Sequence, residues 1–300
     1  MSNIFGQQLQ PPPSLTLPHK GGGNRPATVD AQKEIFAANR ATGHVALGVA
    51  ASAGRTRRTR VHEDGSLRVR FPNAAGDALE AVIVNTGGGM TGGDRFAVEI
   101  ALGERAKLVA GTAAAEKIYR SSGPDAAMDV RLEVGDGARL AWLPQETILF
   151  DRARLARRID VELAANASLL MAEAVVFGRS AMGEAMREGL FIDRWRVRRA
   201  GKLVFADAAR LDGAIAAKLG QPASAAGGIA IATVLVAPGD DATTSAVRAL
   251  AEQFTGEVGI SSWNGIAVAR LCAKDGAALR HDLIAVLAAL GAPVPRLWLN

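Results

Sequence analysis

The sequence predicts a mainly β fold, a layered antiparallel β scaffold with about two α-helices near the C-terminus. Three observations lead there. From about residue 39 to 215, short apolar or alternating runs recur at roughly strand-and-turn spacing, with Gly-rich turns between them. Several of these runs alternate apolar and charged positions, the period of a sheet with one face in water. Helical spacing of apolar residues begins only after residue 240.

In chain order, His44 to Val49 is a short apolar run. Arg55 to Val61 alternates Arg and Thr and suits only an edge or a solvent-facing strand. Asp64-Gly65 is a turn signal, and Leu67, Val69 and Phe71 then alternate with polar residues. Leu79 to Val84 is continuously apolar, as expected of a strand buried on both faces. Beyond residue 150, Leu155, Ile159, Val161 and Leu163 share one face, while Arg158, Asp160 and Glu162 share the other. Leu169 to Phe177 is apolar around Glu173, and Phe191, Trp195 and Val197 alternate with arginines. Asp240-Asp241 caps an expected helix from Thr243 to Phe254. Ala277 to Leu290 carries a second apolar stripe and stops at Gly291. Between them, Asn264-Gly265 marks a hairpin.

Composition narrows the function. One Cys among 300 residues excludes a disulfide scaffold and any Cys-based zinc or iron–sulfur centre. The four His lie far apart, so no local His pair forms a fixed metal site, while a transient site of carboxylates stays open. Net charge is +5, carried by Arg over Lys at 28 to 7, which suits carboxylate partners. Only 14 aromatics argue against nucleic-acid binding. The longest uncharged stretch, Leu219 to Gly239, is broken by Pro222, Gly227, Gly228 and Pro238, so no membrane span is expected. The N-terminus lacks a signal-peptide pattern, and the Pro and Gly runs of residues 1–38 read as a disordered tail. The remainder, 39–300, reads as a single domain in a cytoplasmic protein.

Four segments carry unusual chemistry. Asn85 to Asp94 holds Gly87, Gly88, Gly89, Gly92 and Gly93 after a buried strand. A phosphate loop is disfavoured there, because the next residues alternate like a strand and open no helix. Ala113 to Ser121 contains Lys117, Tyr119 and Arg120. Alternation puts Lys117 and Tyr119 on one face and Glu116, Ile118 and Arg120 on the other. Leu143 to Asp151 holds Glu146 and Asp151. Glu173 to Glu184 holds Gly178 and Arg179, and places Glu173 inside an apolar strand, where a carboxylate must be paired, hydrated or at a cavity. No nucleophile elbow, Walker motif or zinc motif is present. A carboxylate-dependent hydrolase built on Glu146 with Asp151 or Glu184 is the alternative reading.

Taken in order, Asp64 to Val69, Asn85 to Asp94, Thr112 to Ser121, Leu143 to Phe150, Phe177 to Glu184 and the C-terminal Arg296-Leu-Trp-Leu resemble the urease accessory protein UreD family, also called UreH. The resemblance covers roughly residues 42–300. It implies a β-rich scaffold without catalytic activity that binds urease apoprotein and recruits UreF. UreF in turn carries the GTPase UreG, and the assembly inserts nickel and completes the urease active site. No cofactor is expected to bind tightly, and nickel passes in transit. Exchangeable oxygen ligands suit such a passage. Asp94, Glu146, Glu173 and Glu184, with Thr112 and Ser121, are the expected path residues. Arg154, Arg157, Arg158, Arg194 and Arg196 are the expected contacts to an acidic partner.

Overall fold

The computed structural model describes residues 40–72, 77–292 and 294–298. The expected tail of residues 1–38 lies outside them. Eighteen strands and three α-helices follow one another among the described residues. They are β1 Thr42–Ser52, β2 Arg55–Gly65, β3 Leu67–Arg70, β4 Leu79–Asn85, β5 Arg95–Leu102, β6 Lys107–Thr112, β7 Glu116–Ile118, β8 Ala126–Val134 and β9 Arg139–Trp142. Then come β10 Thr147–Leu149, β11 Arg154–Leu163, β12 Ser168–Arg179, β13 Glu184–Ala185, β14 Glu188–Arg199 and β15 Lys202–Ala214. The last are α1 Ile215–Leu219, β16 Ala230–Ala237, α2 Asp241–Arg248, β17 Glu257–Trp263, β18 Ile266–Ala273 and α3 Gly276–Ala289. Arg40–Asn300 forms one compact unit.

From β4 to β14 the chain passes back and forth between two sheets. β5 lands parallel beside β1, and from β6 on each return lands parallel beside the preceding coil strand of its sheet. In the first sheet β1, β5, β8, β11 and β14 are parallel neighbours. In the second sheet β4, β6, β9 and β12 are parallel neighbours. Leu79 registers with Leu108, Leu108 with Leu140 and Leu140 with Leu169, so one coil takes about 30 residues. The mainly β expectation holds, but the sheets are mixed. Antiparallel pairing occurs at their flanks, as for β2, β15, β16, β17 and β18. Alternation records which face is buried and is the same in both directions, so it does not reveal strand direction. Nor does the coil leave a sequence repeat: what recurs is apolar character.

The two sheets close on each other over Val98, Val130, Ile159 and Trp195 from one side and Leu108, Leu140 and Leu169 from the other. Helices α2 and α3 cover the far face of the second sheet, where Val247, Leu283 and Leu287 join Ala172, Val234 and Leu271 in a second core. That is why Leu169 to Phe177 reads as apolar on both faces but for Glu173, whereas the first sheet alternates. Asp240 caps α2 through the Thr243 amide, at 2.8 Å. This helix ends at Arg248, short of the expected Phe254. Its C-terminal neighbour α3 is close to its expected span and is capped by Asp275.

One polar link crosses the core. The Arg157 side chain on β11 is 2% exposed and lies between Glu173 on β12 and Asp193 on β14. Its Nε and Nη2 donate to the two Asp193 oxygens at 2.9 and 2.6 Å, and Nη1 donates to Glu173. The other Glu173 oxygen accepts from Trp142 Nε1 at 2.7 Å. Burial pushes the Glu173 carboxyl up, against the pull of Arg157 and Trp142. Burial also opposes the Arg157 charge, but Asp193 and Glu173 outweigh it and hold the guanidinium protonated. Two expectations are corrected here. Arg157 is an internal tie and offers nothing to a partner, and both Glu173 oxygens are already occupied. Arg157 shares the strand parity of Leu155 and Ile159, which is why it points inward.

Arg157→Ala takes the cation from buried Glu173 and half-buried Asp193 and is expected to cost about 3–5 kcal/mol. Arg158→Ala, beside it but on the wet face, is expected to cost under about 1 kcal/mol. Urea unfolding of both variants checks this: similar losses would remove the special role of the buried tie.

Candidate functional site

The two edges of the coil differ. Returns from the first sheet to the second are short, four residues each at 103–106, 135–138 and 164–167. Passes in the other direction are longer and hold β7, β10 and β13. They comprise residues 86–94, 113–125, 143–153 and 180–187, and they stack on one edge. All four unusual segments of the sequence meet there.

Backbone bonds sew the turns together. Met90 N donates to Lys117 O and Tyr119 N to Met90 O, both at 2.7 Å. Phe150 N donates to Ile118 O at 3.0 Å, and Arg152 N to Glu188 O at 2.9 Å. Tyr119 donates its hydroxyl to Gly88 O at 3.1 Å and sets its ring edge-on to Phe150. The Arg179 guanidinium lies 4.2 Å from the Phe150 ring centre. Glycine is required by this packing. A Cβ on Gly89 would lie 2.4 Å from the Tyr119 ring, and one on Gly92 would lie 1.8 Å from Ser121 Oγ.

Most of the expected path residues hold structure. Asp94, 4% exposed, accepts from the Ala41 and Thr91 amides at 2.8 Å each and pins the glycine loop. Ser121 Oγ donates to Pro124 O at 2.8 Å. Glu146 pairs with Arg280 at 2.6 Å, and Glu184 pairs with Arg179. Gly178 meets β13 at Ala185. Among the expected partner contacts, Arg154 is tied to Asp125 and Arg158 to Asp160, while Arg194 and Arg196 are exposed on the outer face. The carboxylates of the hydrolase alternative also part company. Glu146, Asp151 and Glu184 enter separate ion pairs with Arg280, Arg187 and Arg179.

Beneath the stacked turns lies a largely enclosed cavity of about 150 Å³. Asn85, Gly88, Thr112, Glu116, Lys117 and Trp142 supply its polar wall. It has room for several waters. Thr112 is therefore the one expected path residue that lines it. Glu116 and Asn85 were not among them. The signal for Glu116 was its parity with Ile118, which is wholly buried. Asn85 Nδ2 donates to Glu116 at 2.9 Å. Burial is the main influence on Glu116 and pushes its pKa to about 7, against the Asn85 bond and the Lys117 charge. Trp142 forms a shared wall, with the cavity on one side and Glu173 bonded to its Nε1. The bend at Ala114 and Ala115 is also shared. Its far side faces an open groove of about 870 Å³, bordered by Glu146, Arg179, Met182 and Arg280. No group of three or more metal-ligating side chains stands ready to hold an ion among the described residues.

The raised pKa of Glu116 has a defined sign. The folded state holds the proton more tightly, so its stabilisation is complete below the unfolded value of 4.5 and is lost as pH rises through about 7. The full difference is about 3 kcal/mol. Thermal melts from pH 4.5 to 8 are expected to show Glu116→Gln gaining on the parent as pH rises. Parallel profiles would place Glu116 in water.

A family model described as UreD urease accessory protein matches residues 41–299. A protein named urease accessory protein UreD from Rhodopseudomonas palustris strain HaA2 is 60% identical over 274 residues, 91% of this chain and 98% of its own length. Another of that name, from Bradyrhizobium diazoefficiens, is 58% identical over 266 residues, 89% of this chain and 96% of its own. The coil, the stacked turns and the cavity all lie within the matched span. The chain belongs to the UreD urease accessory protein family.

Proposed function

We propose that the chain is a scaffold for urease maturation, an accessory protein and not an enzyme. In this reading it binds urease apoprotein in the cytoplasm and recruits UreF, and through UreF the GTPase UreG. Nickel is its cargo and passes without lodging. The cavity is the observation that supports the cargo role. Glu116 supplies a weakly acidic carboxylate to a space with room for several waters, while Asn85 Oδ1 and Thr112 Oγ1 are held by the Gly87 and Gln145 amides, and no Cys or His cage lines it. Glu116 suits exchange, because near pH 7 it takes up a cation by releasing a proton and reverses as easily. Ala114 and Ala115 line both the cavity and the groove, and in this reading the ion passes at this bend. Exposed Arg194 and Arg196 remain candidates for contact with an acidic partner surface.

The test is co-expression of the tagged chain with urease apoprotein and the other accessory proteins, followed by urease activity with nickel and bicarbonate. A stable complex and loss of activation without the chain are expected. Glu116→Gln is expected to leave the complex intact and slow activation at limiting nickel roughly tenfold, about 1.4 kcal/mol of lost ion binding. Unchanged activation would exclude the cavity as the path. Full activation without the chain would exclude the role itself.

A further inference from the structure

The four stacked turns carry an unbalanced set of charges. Asp94 and Glu116 are turned inward. Asp125, Glu146, Asp151 and Glu184 are each held in an ion pair. Every carboxylate of these turns is thus buried or neutralised. Three cations remain: Lys117, Arg120 and Arg152 are exposed and form no salt bridge among the described residues. The outer face of the first sheet is mixed. There Arg131 pairs with Glu133, Arg158 with Asp160 and Arg198 with Glu162, while Arg194 and Arg196 are exposed and form no salt bridge among the described residues.

Amid these cations stands the only Tyr of the chain. Tyr119 is 38% exposed although its hydroxyl and one ring edge are fixed. Met182, on the last of the four turns, is 74% exposed. A rigid aromatic loses little freedom on burial, and Tyr, Arg and Met are the residues that anchor protein interfaces. The backbone sewing makes the edge stiff, so its geometry exists before a partner arrives.

We propose that this edge is a docking surface for an acidic folded protein of the maturation assembly. The Tyr119 ring is its anchor, and Lys117, Arg120 and Arg152 pair with carboxylates on the partner. The proposal rests on the maturation reading, and it places an acidic contact at the turns besides the one considered for Arg194 and Arg196. It also seats the partner over the cavity, since Gly88 and Lys117 belong to both the edge and the cavity wall.

Binding of the full-length chain to urease apoprotein and to each accessory protein, measured over a range of salt, tests this. Arg120→Glu combined with Arg152→Glu is expected to weaken one of these interactions at least tenfold and to flatten its salt dependence. Tyr119→Ala is expected to weaken the same interaction by about tenfold or more. The charge-reversed variant removes no salt bridge of the fold, so an unaltered melting curve guards against misfolding as the cause. Parent-like affinity of both variants for every partner would overturn the proposal and leave the maturation reading standing. A parent chain that binds none of them, or binds only DNA, would overturn both.

Discussion

A strand can be joined to a parallel neighbour only by leaving the sheet and coming back. Here the excursion is used to lay a strand in the opposite sheet, so every crossing makes structure in both layers. The chain winds rather than zigzags, and the two kinds of crossing fall on opposite edges. One edge keeps its turns at four residues and stays plain. The other accumulates the longer turns, and with them the glycines, the aromatic pair and the polar cavity. Site and scaffold therefore arise from the same connectivity.

Two layers wound in this way still need a reason to hold one register. The Arg157 guanidinium supplies a directional one, forking onto Asp193 within its own sheet and reaching Glu173 in the other. Apolar contacts tolerate sliding, whereas a buried fork with both acceptors matched does not. Trp142 passes that order on, because its Nε1 fixes Glu173 and its ring bounds the cavity. The space around Glu116 is thus shaped by a tie whose guanidinium and Glu173 carboxylate are buried.

Much of this was legible in the residues. The alternation of Leu155 to Leu163, the edge character of Arg55 to Val61, the Asn264-Gly265 hairpin and the helix capped at Asp275 all follow from local periodicity and capping. Strand direction did not, since periodicity carries burial alone. The segments that meet at the stacked turns were visible as oddities, but their meeting depends on register between residues some thirty apart. Glu173 was recognisable as a carboxylate that burial must answer for. Its partners Arg157 and Asp193 were identifiable by parity with Leu155 and Trp195, a signal that the clustering of arginines in sequence obscured. Glu116 is hidden from such reading, because a charged residue beside Lys117 and Arg120 reads as surface.

The covering of the second sheet bears on how the protein folds. Its far face is shielded by α2 and α3, and Trp298 bonds its indole to Leu143 O from near the end of the chain. In chain order α2 and α3 follow every strand of the coil. Until these helices dock, an apolar face that includes Ala141, Ala172, Ala174 and Val176 of the coil lies open to water. A wound coil without α2 and α3 is thus adhesive on that face, which makes helix docking, rather than strand pairing, the step that shields the second sheet.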